Sequence, residues 1–117
     1  MSYILAIDDE AALAELLHDI LADEGYEVRA VTTAAEALTV AQHHPPSLIL
    51  FDLTMPAMSG EQFVQAYRSL PNASAKLVAI SGIPHLDREA ARIGADGYVV
   101  KPYEIDDLLA TIASVLE

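Results

Sequence analysis

Short apolar runs that each end in a polar residue recur along this chain. Tyr3-Ile4-Leu5-Ala6-Ile7 ends in Asp8-Asp9, and Leu48-Ile49-Leu50-Phe51 ends in Asp52. Further on, Val78-Ala79-Ile80 ends in Ser81-Gly82 and Tyr98-Val99-Val100 ends in Lys101-Pro102. A fifth run, Glu27 to Val31, alternates polar and apolar residues, the pattern of a strand near a sheet edge. Amphipathic segments of helical length separate these runs. Strands joined in this way must be parallel, with right-handed crossovers.

The intervening segments carry their own signals. Leu13, Leu16, Leu17, Ile20 and Leu21 recur at helical spacing in a helix expected from about Glu10 to Glu24, with Gly25 as its stop. Thr33 is placed to cap a second helix, with Glu36 at the capping-box position. That helix is expected to end before His43-His44-Pro45-Pro46, since proline blocks its continuation. Gly60 to Leu70 places Phe63, Ala66, Tyr67 and Leu70 on one stripe, and Leu86–Ile93 and Glu104–Leu116 complete the set. The expected fold is α/β, a flavodoxin-like (βα)5 doubly wound parallel sheet of strand order 2-1-3-4-5. Residues 1–117 are read as a single domain. In such a sheet the ends of the first and third strands adjoin at the topological switch point, where open α/β sheets place their sites.

Composition narrows the function. Eighteen acidic residues against six Lys and Arg give a net charge of −12, which disfavours nucleic acid and anionic membrane surfaces as partners. The absence of Cys excludes disulfides and thiolate metal sites. No apolar run reaches the roughly 20 residues of a membrane helix, and no basic stretch precedes an apolar core at the start. The expectation is a soluble, cytoplasmic domain.

Three carboxylates, a hydroxyl and an ammonium are thus expected at one crevice. Carboxylates that crowd together repel, and hard oxygen donors suit Mg²⁺. Asp9 and Asp52 are assigned as direct ligands, with Asp8 acting through bound water and Thr54 supplying its backbone carbonyl. A carboxylate beside the metal can attack a phosphoryl group to give an acyl phosphate. Lys101 sits where it can pair with Asp52 before that step and with a phosphoryl oxygen after it. Ser81 can donate to the same oxygens.

These residues in this order resemble the receiver domains of two-component response regulators. The resemblance runs through Asp8-Asp9, Asp52, Met55-Pro56, Gly60, Ser81, Gly94-Ala95-Asp96-Gly97-Tyr98 and Lys101-Pro102. It implies that Asp52 accepts phosphate from a histidine kinase or a histidine phosphotransfer protein, with Mg²⁺ required. It implies that Ser81 moves toward the phosphoryl group, that Tyr98 swings inward, and that the face of the fourth helix, fifth strand and fifth helix is reshaped for a downstream protein target. It also implies a cis peptide before Pro102, and a monomer or a phosphorylation-dependent homodimer. Thr54 and Ile83 flank the path of the attacking water in the family. The stretch from Gly82 to Ile93 is short for the pattern, so the fourth helix is expected to begin late or to be distorted.

Taken singly, the same residues have simpler readings. Asp8-Asp9 would cap the first helix, Lys101 would be a surface lysine, Ser81-Gly82 a turn, and Tyr98 a packing aromatic. Their combination outweighs these readings for Asp8-Asp9, Asp52 and Lys101, while Tyr98 stays open between packing and switching. The histidines are assigned no catalytic role, and Met55 and Met58 are read as gap-fillers. Two rival functions remain at this stage. One is a phosphate-independent interaction module. The other is a small Mg²⁺-dependent aspartyl phosphatase, against which the absence of an acid two positions after Asp52 argues.

Overall fold

The structure, a computed structural model, describes residues 3–117. Its elements alternate strictly: β1 (Ile4–Ile7), α1 (Ala11–Asp23), β2 (Val28–Val31), α2 (Ala34–His43), β3 (Leu48–Asp52), α3 (Gly60–Arg68), β4 (Lys76–Ser81), α4 (Leu86–Ile93), β5 (Gly97–Val100) and α5 (Ile105–Leu116). The five strands are parallel in the order β2-β1-β3-β4-β5, as expected.

Period-two alternation divides the strand side chains between two cores. Leu5, Ile7, Ile49, Phe51, Leu77 and Ala79 face α2, α3 and α4 and pack with Ala37, Phe63 and Tyr67. Phe51 and Phe63 meet with ring centroids 5.2 Å apart and tilted planes, a favoured aromatic geometry. Ile4, Ala6, Leu48, Leu50, Val78, Ile80 and Val99 face α1 and α5, against Leu17, Leu21, Leu108 and Ile112. Covering on both faces explains why β3 is apolar from Leu48 to Phe51.

Local chemistry sets the helix ends. Thr33 Oγ1 accepts from Glu36 N at 3.1 Å, as its position predicted. Ser59 and Gln62 form a complete capping box at the start of α3, which was not anticipated although Ser-Gly-Glu-Gln carries its spacing. The fourth helix spans Leu86–Ile93, the bounds its sequence pattern predicts. Its first flanking residue, His85, lies in the left-handed region (φ 57°) and caps nothing with its side chain. Gly94 ends α4 at φ 87°, a conformation glycine adopts without steric cost.

Two stripes differ from the sequence pattern. On α1, Ala14, Leu17 and Leu21 are buried, whereas Leu13 and Leu16 are 37% and 49% exposed. The helix is rotated so that Ala14, Leu17 and Leu21 meet the sheet, which leaves Leu13, Leu16 and Ile20 along a surface groove beside Lys101. On α3 the buried set is Phe63, Val64 and Tyr67, while Leu70 lies beyond the helix and packs at the margin of the core.

Candidate functional site at the carboxyl edge of the sheet

Register places the site. Ile7 pairs with Phe51, Asp52 with Ile80, and Ser81 with Val100, so the strand ends are level along one edge. Backbone bonds carry each ladder just past the strand: Asp8 N to Val31 O (3.1 Å), Leu53 N to Ile80 O (3.0 Å) and Lys101 N to Ser81 O (2.9 Å). Alternation then separates the polar groups. Asp8, Asp52 and Lys101 fall on the parity of the side chains that face α1 and α5, while Ser81 falls on the opposite parity.

Asp52 is 4% exposed and fully engaged. Oδ2 accepts from Lys101 Nζ at 2.5 Å. Oδ1 accepts from Thr54 N at 2.8 Å and from Thr54 Oγ1 at 2.6 Å. Burial alone pushes the Asp52 carboxyl up, but the bonds from Lys101 and Thr54 outweigh it and hold the group below the usual carboxylate range. The same contact works on Lys101, where burial lowers the ammonium and the pairing with Asp52 more than offsets it. The Lys101–Pro102 peptide is cis, as the resemblance implied.

Asp8 behaves in the opposite way. It is also 4% exposed, and burial raises its carboxyl above the usual range, with the neighbouring charges of Asp52 and Asp9 adding to the rise. Its single hydrogen bond, from Glu10 N at 3.0 Å, and the nearby Lys101 ammonium only partly compensate. That bond is an Asx-type turn into α1, so Asp8 also plays part of the helix-starting role considered for the acidic pair.

Asp9 is exposed in the β1–α1 loop. Among the described residues, no three His, Cys, Asp or Glu side chains form a set that could hold a metal ion by themselves. Asp8, Asp9 and Asp52 nevertheless offer only hard oxygen donors around a crevice with an excess of negative charge. This fits Mg²⁺, which takes one or two carboxylates and keeps several waters. Ser81 is buried, and its Oγ accepts from Ile83 N at 3.2 Å rather than meeting Asp52. Tyr98 is 42% exposed, on the strand parity opposite to Val99, and borders a surface hollow that Thr111 and Val115 also line. The Thr54 hydroxyl clamp on Asp52 was not foreseen; the Asp-x-Thr spacing was its only signal. An apolar groove of about 560 Å³ adjoins Lys101, lined by Leu13, Leu16, Ile20, Pro102, Tyr103 and Ile105.

The fold, with its acids at the switch point and a lysine at the end of β5, is that of a two-component receiver. The family model described as the response regulator receiver domain matches residues 4–113, and the chain belongs to that family. The chain is 33% identical over 116 residues to the transcriptional regulatory protein KdpE of Mycobacterium tuberculosis, covering 99% of this chain and 51% of that protein. It is 36% identical over 115 residues to the probable transcriptional regulator ycf27 of Pyropia yezoensis, covering 97% and 46%. The chain thus spans about half the length of these curated relatives. Among solved structures, the chemotaxis response regulator CheY4 of Vibrio cholerae superposes with a TM-score of 0.89 at 32% identity, covering 98% of both chains. A CheY-like receiver domain protein from Methanospirillum hungatei superposes at 0.87 and 32% identity, covering 99% of this chain and 94% of that one.

Proposed function

We propose that the chain is a phosphorylation-activated switch in which Asp52 is the phosphoacceptor. The observation that carries this reading is the state of Asp52: a buried strand-end carboxylate, kept ionised by Lys101 and Thr54. In the transfer, an Asp52 oxygen attacks the phosphorus of a phosphohistidine donor. The P–N bond breaks, its electron pair returns to the imidazole, and an acyl phosphate forms. Mg²⁺ supplies charge neutralisation for the transferring group when bound. Asp9 and Asp52 would hold it, with the Thr54 carbonyl, and Asp8 through water.

Lys101 then exchanges a carboxylate for a phosphoryl oxygen. Charged hydrogen bonds of this kind contribute about 1.5–3 kcal/mol each, enough to bias an element whose two states lie a few kcal/mol apart. Ser81 would turn from Ile83 N to the phosphoryl group, and Tyr98 would leave solvent for the space behind it. The changed α4–β5–α5 face would meet a downstream protein target. The exposed apolar groove beside Lys101 suits the docking of the histidine kinase or phosphotransfer protein, because it lies next to the acceptor and presents Leu13, Leu16 and Ile105 to solvent.

The test is intact mass after incubation with Mg²⁺ and acetyl phosphate, with and without hydroxylamine. One Mg²⁺-dependent phosphoryl group, removed by hydroxylamine and absent from Asp52→Asn, is the expected result. An equal yield of phosphorylation in Asp52→Asn would refute the assignment.

A further inference from the structure

A second charged cluster lies on the other side of the acceptor loop. Arg92, on the last turn of α4, grips Glu89 of the same helix with two bonds, Nε to Oε1 at 2.8 Å and Nη2 to Oε2 at 2.7 Å. Its third nitrogen, Nη1, reaches Glu61 Oε2 at 3.1 Å in the first turn of α3. The guanidinium is charged at any working pH, and the two carboxylates raise its pKa further. Glu61 stands on firm ground, since the Ser59–Gln62 capping box fixes that turn. The α4 end nearest the site is less firm, entering from left-handed His85 without a side-chain cap.

Beside this bridge is a cavity of about 170 Å³, open to solvent and lined by Glu61, Glu89 and Arg92 together with Leu53, Thr54, Ser59, Gly60 and Ile83. It therefore extends from the ion pairs to the residue whose hydroxyl and backbone N–H hold Asp52. At ~30 Å³ per molecule it has room for several waters.

We propose that the Arg92–Glu61–Glu89 bridge controls the access of water to the phosphorylated site and so sets how long the phosphoryl group survives. This rests on Asp52 being the acceptor. Loss of the group is hydrolysis: a water oxygen attacks phosphorus, the bond from phosphorus to the Asp52 oxygen breaks, and inorganic phosphate leaves as the carboxylate is restored and a proton passes to solvent. Water that arrives through the cavity passes alongside Glu61 of α3 and Glu89 and Arg92 of α4, which line it. Arg92 holds those helices together at that point without touching the reacting atoms, so it is a positioning residue. An ion pair as exposed as this one is weak and sensitive to salt. Both properties suit a latch that opens.

The experiment measures the half-life of the phosphoryl group by intact mass after removal of acetyl phosphate. It compares the parent, Arg92→Ala, and the charge swap Arg92→Glu with Glu61→Arg, each at low and high salt. Arg92→Ala is expected to shorten the half-life roughly two- to fivefold, the scale an exposed ion pair supplies. The parent should shorten toward the same value in high salt, the Arg92→Ala half-life should not respond, and the charge swap should restore the parent behaviour. Unchanged half-lives in Arg92→Ala, or a salt response that survives the substitution, would overturn the proposal while leaving Asp52 as acceptor. Absence of any phosphoryl adduct on the folded parent would overturn both.

Discussion

Lys101 reaches across the end of β4 to Asp52, placing its ammonium 2.5 Å from Oδ2 although their strands are not neighbours in the sheet. The other oxygen of the same carboxylate is closed by Thr54. Asp8, equally buried at the end of the adjacent strand, has no such pairing. The site therefore holds one stabilised and one disfavoured carboxylate, and the two respond oppositely to pH.

For Asp8 the raised folded value means that the folded state binds more protons than the unfolded state between the ordinary value near 3.9 and the raised one. Stability should rise as pH falls through that window, and the charged form carries a cost above it. Asp8→Asn keeps an oxygen for the Glu10 N–H and removes the charge. It is expected to be more stable than the parent by about 0.5–2 kcal/mol at pH 7 without divalent cations. Urea unfolding from pH 7 to pH 4 should show this advantage shrinking; a variant less stable at pH 7 contradicts the reading.

For Asp52 the folded value is lowered, so its contribution is present above the ordinary value and disappears as pH falls through the lowered one. Thr54→Val removes the 2.6 Å hydroxyl bond and leaves the backbone N–H in place. Because Thr54 is exposed, the expected loss is modest, about 1 kcal/mol at pH 7. The deficit should close in acid once Asp52 is protonated. A deficit that persists unchanged at low pH would assign the effect to packing instead.

Tyr67 is buried, and its hydroxyl oxygen accepts from the backbone N–H of Ala75, itself buried, at 2.8 Å. Tyr67→Phe keeps the ring in the core against Phe63 and leaves that donor unmade. Denaturant midpoints should fall by the equivalent of about 1–3 kcal/mol. An unchanged midpoint would mean that Ala75 N–H finds another acceptor.

Gly97 lets α5 approach β5 closely: a Cβ there would lie 2.8 Å from Val115 Cγ2. Gly97→Ala is expected to cost about 1–3 kcal/mol by overpacking, and Val115→Ala in the same chain should recover part of it. Thermal unfolding of the two single variants and the double variant measures the coupling. Strict additivity would show that the contact is not the cause.

Much of the site was readable in the sequence because strand ends are local features. Asp8, Asp52, Ser81 and Lys101 each follow an apolar run, and parallel crossovers bring such ends to one edge. The bounds of α4, Leu86 to Ile93, were readable from its apolar spacing and from Gly94 as its stop. What Leu13 and Leu16 would face was not readable, since helical spacing gives the width of an apolar stripe but not how much of it a sheet can cover. Nor was the pairing of Ser81 with its own loop, which depends on how the chain turns after the strand end to bring Ile83 N onto the hydroxyl.

By itself, then, the sequence determined the order of elements, their parallel arrangement and the residue that terminates each strand, because period-two and helical patterns together with crossover handedness act over short distances. Only the tertiary structure decided which charges meet. Lys101 and Asp52 are 49 positions apart, and Arg92 and Glu61 are 31 apart. Those contacts depend on how each helix is rotated on the sheet and how each loop returns, and packing of the whole molecule sets both.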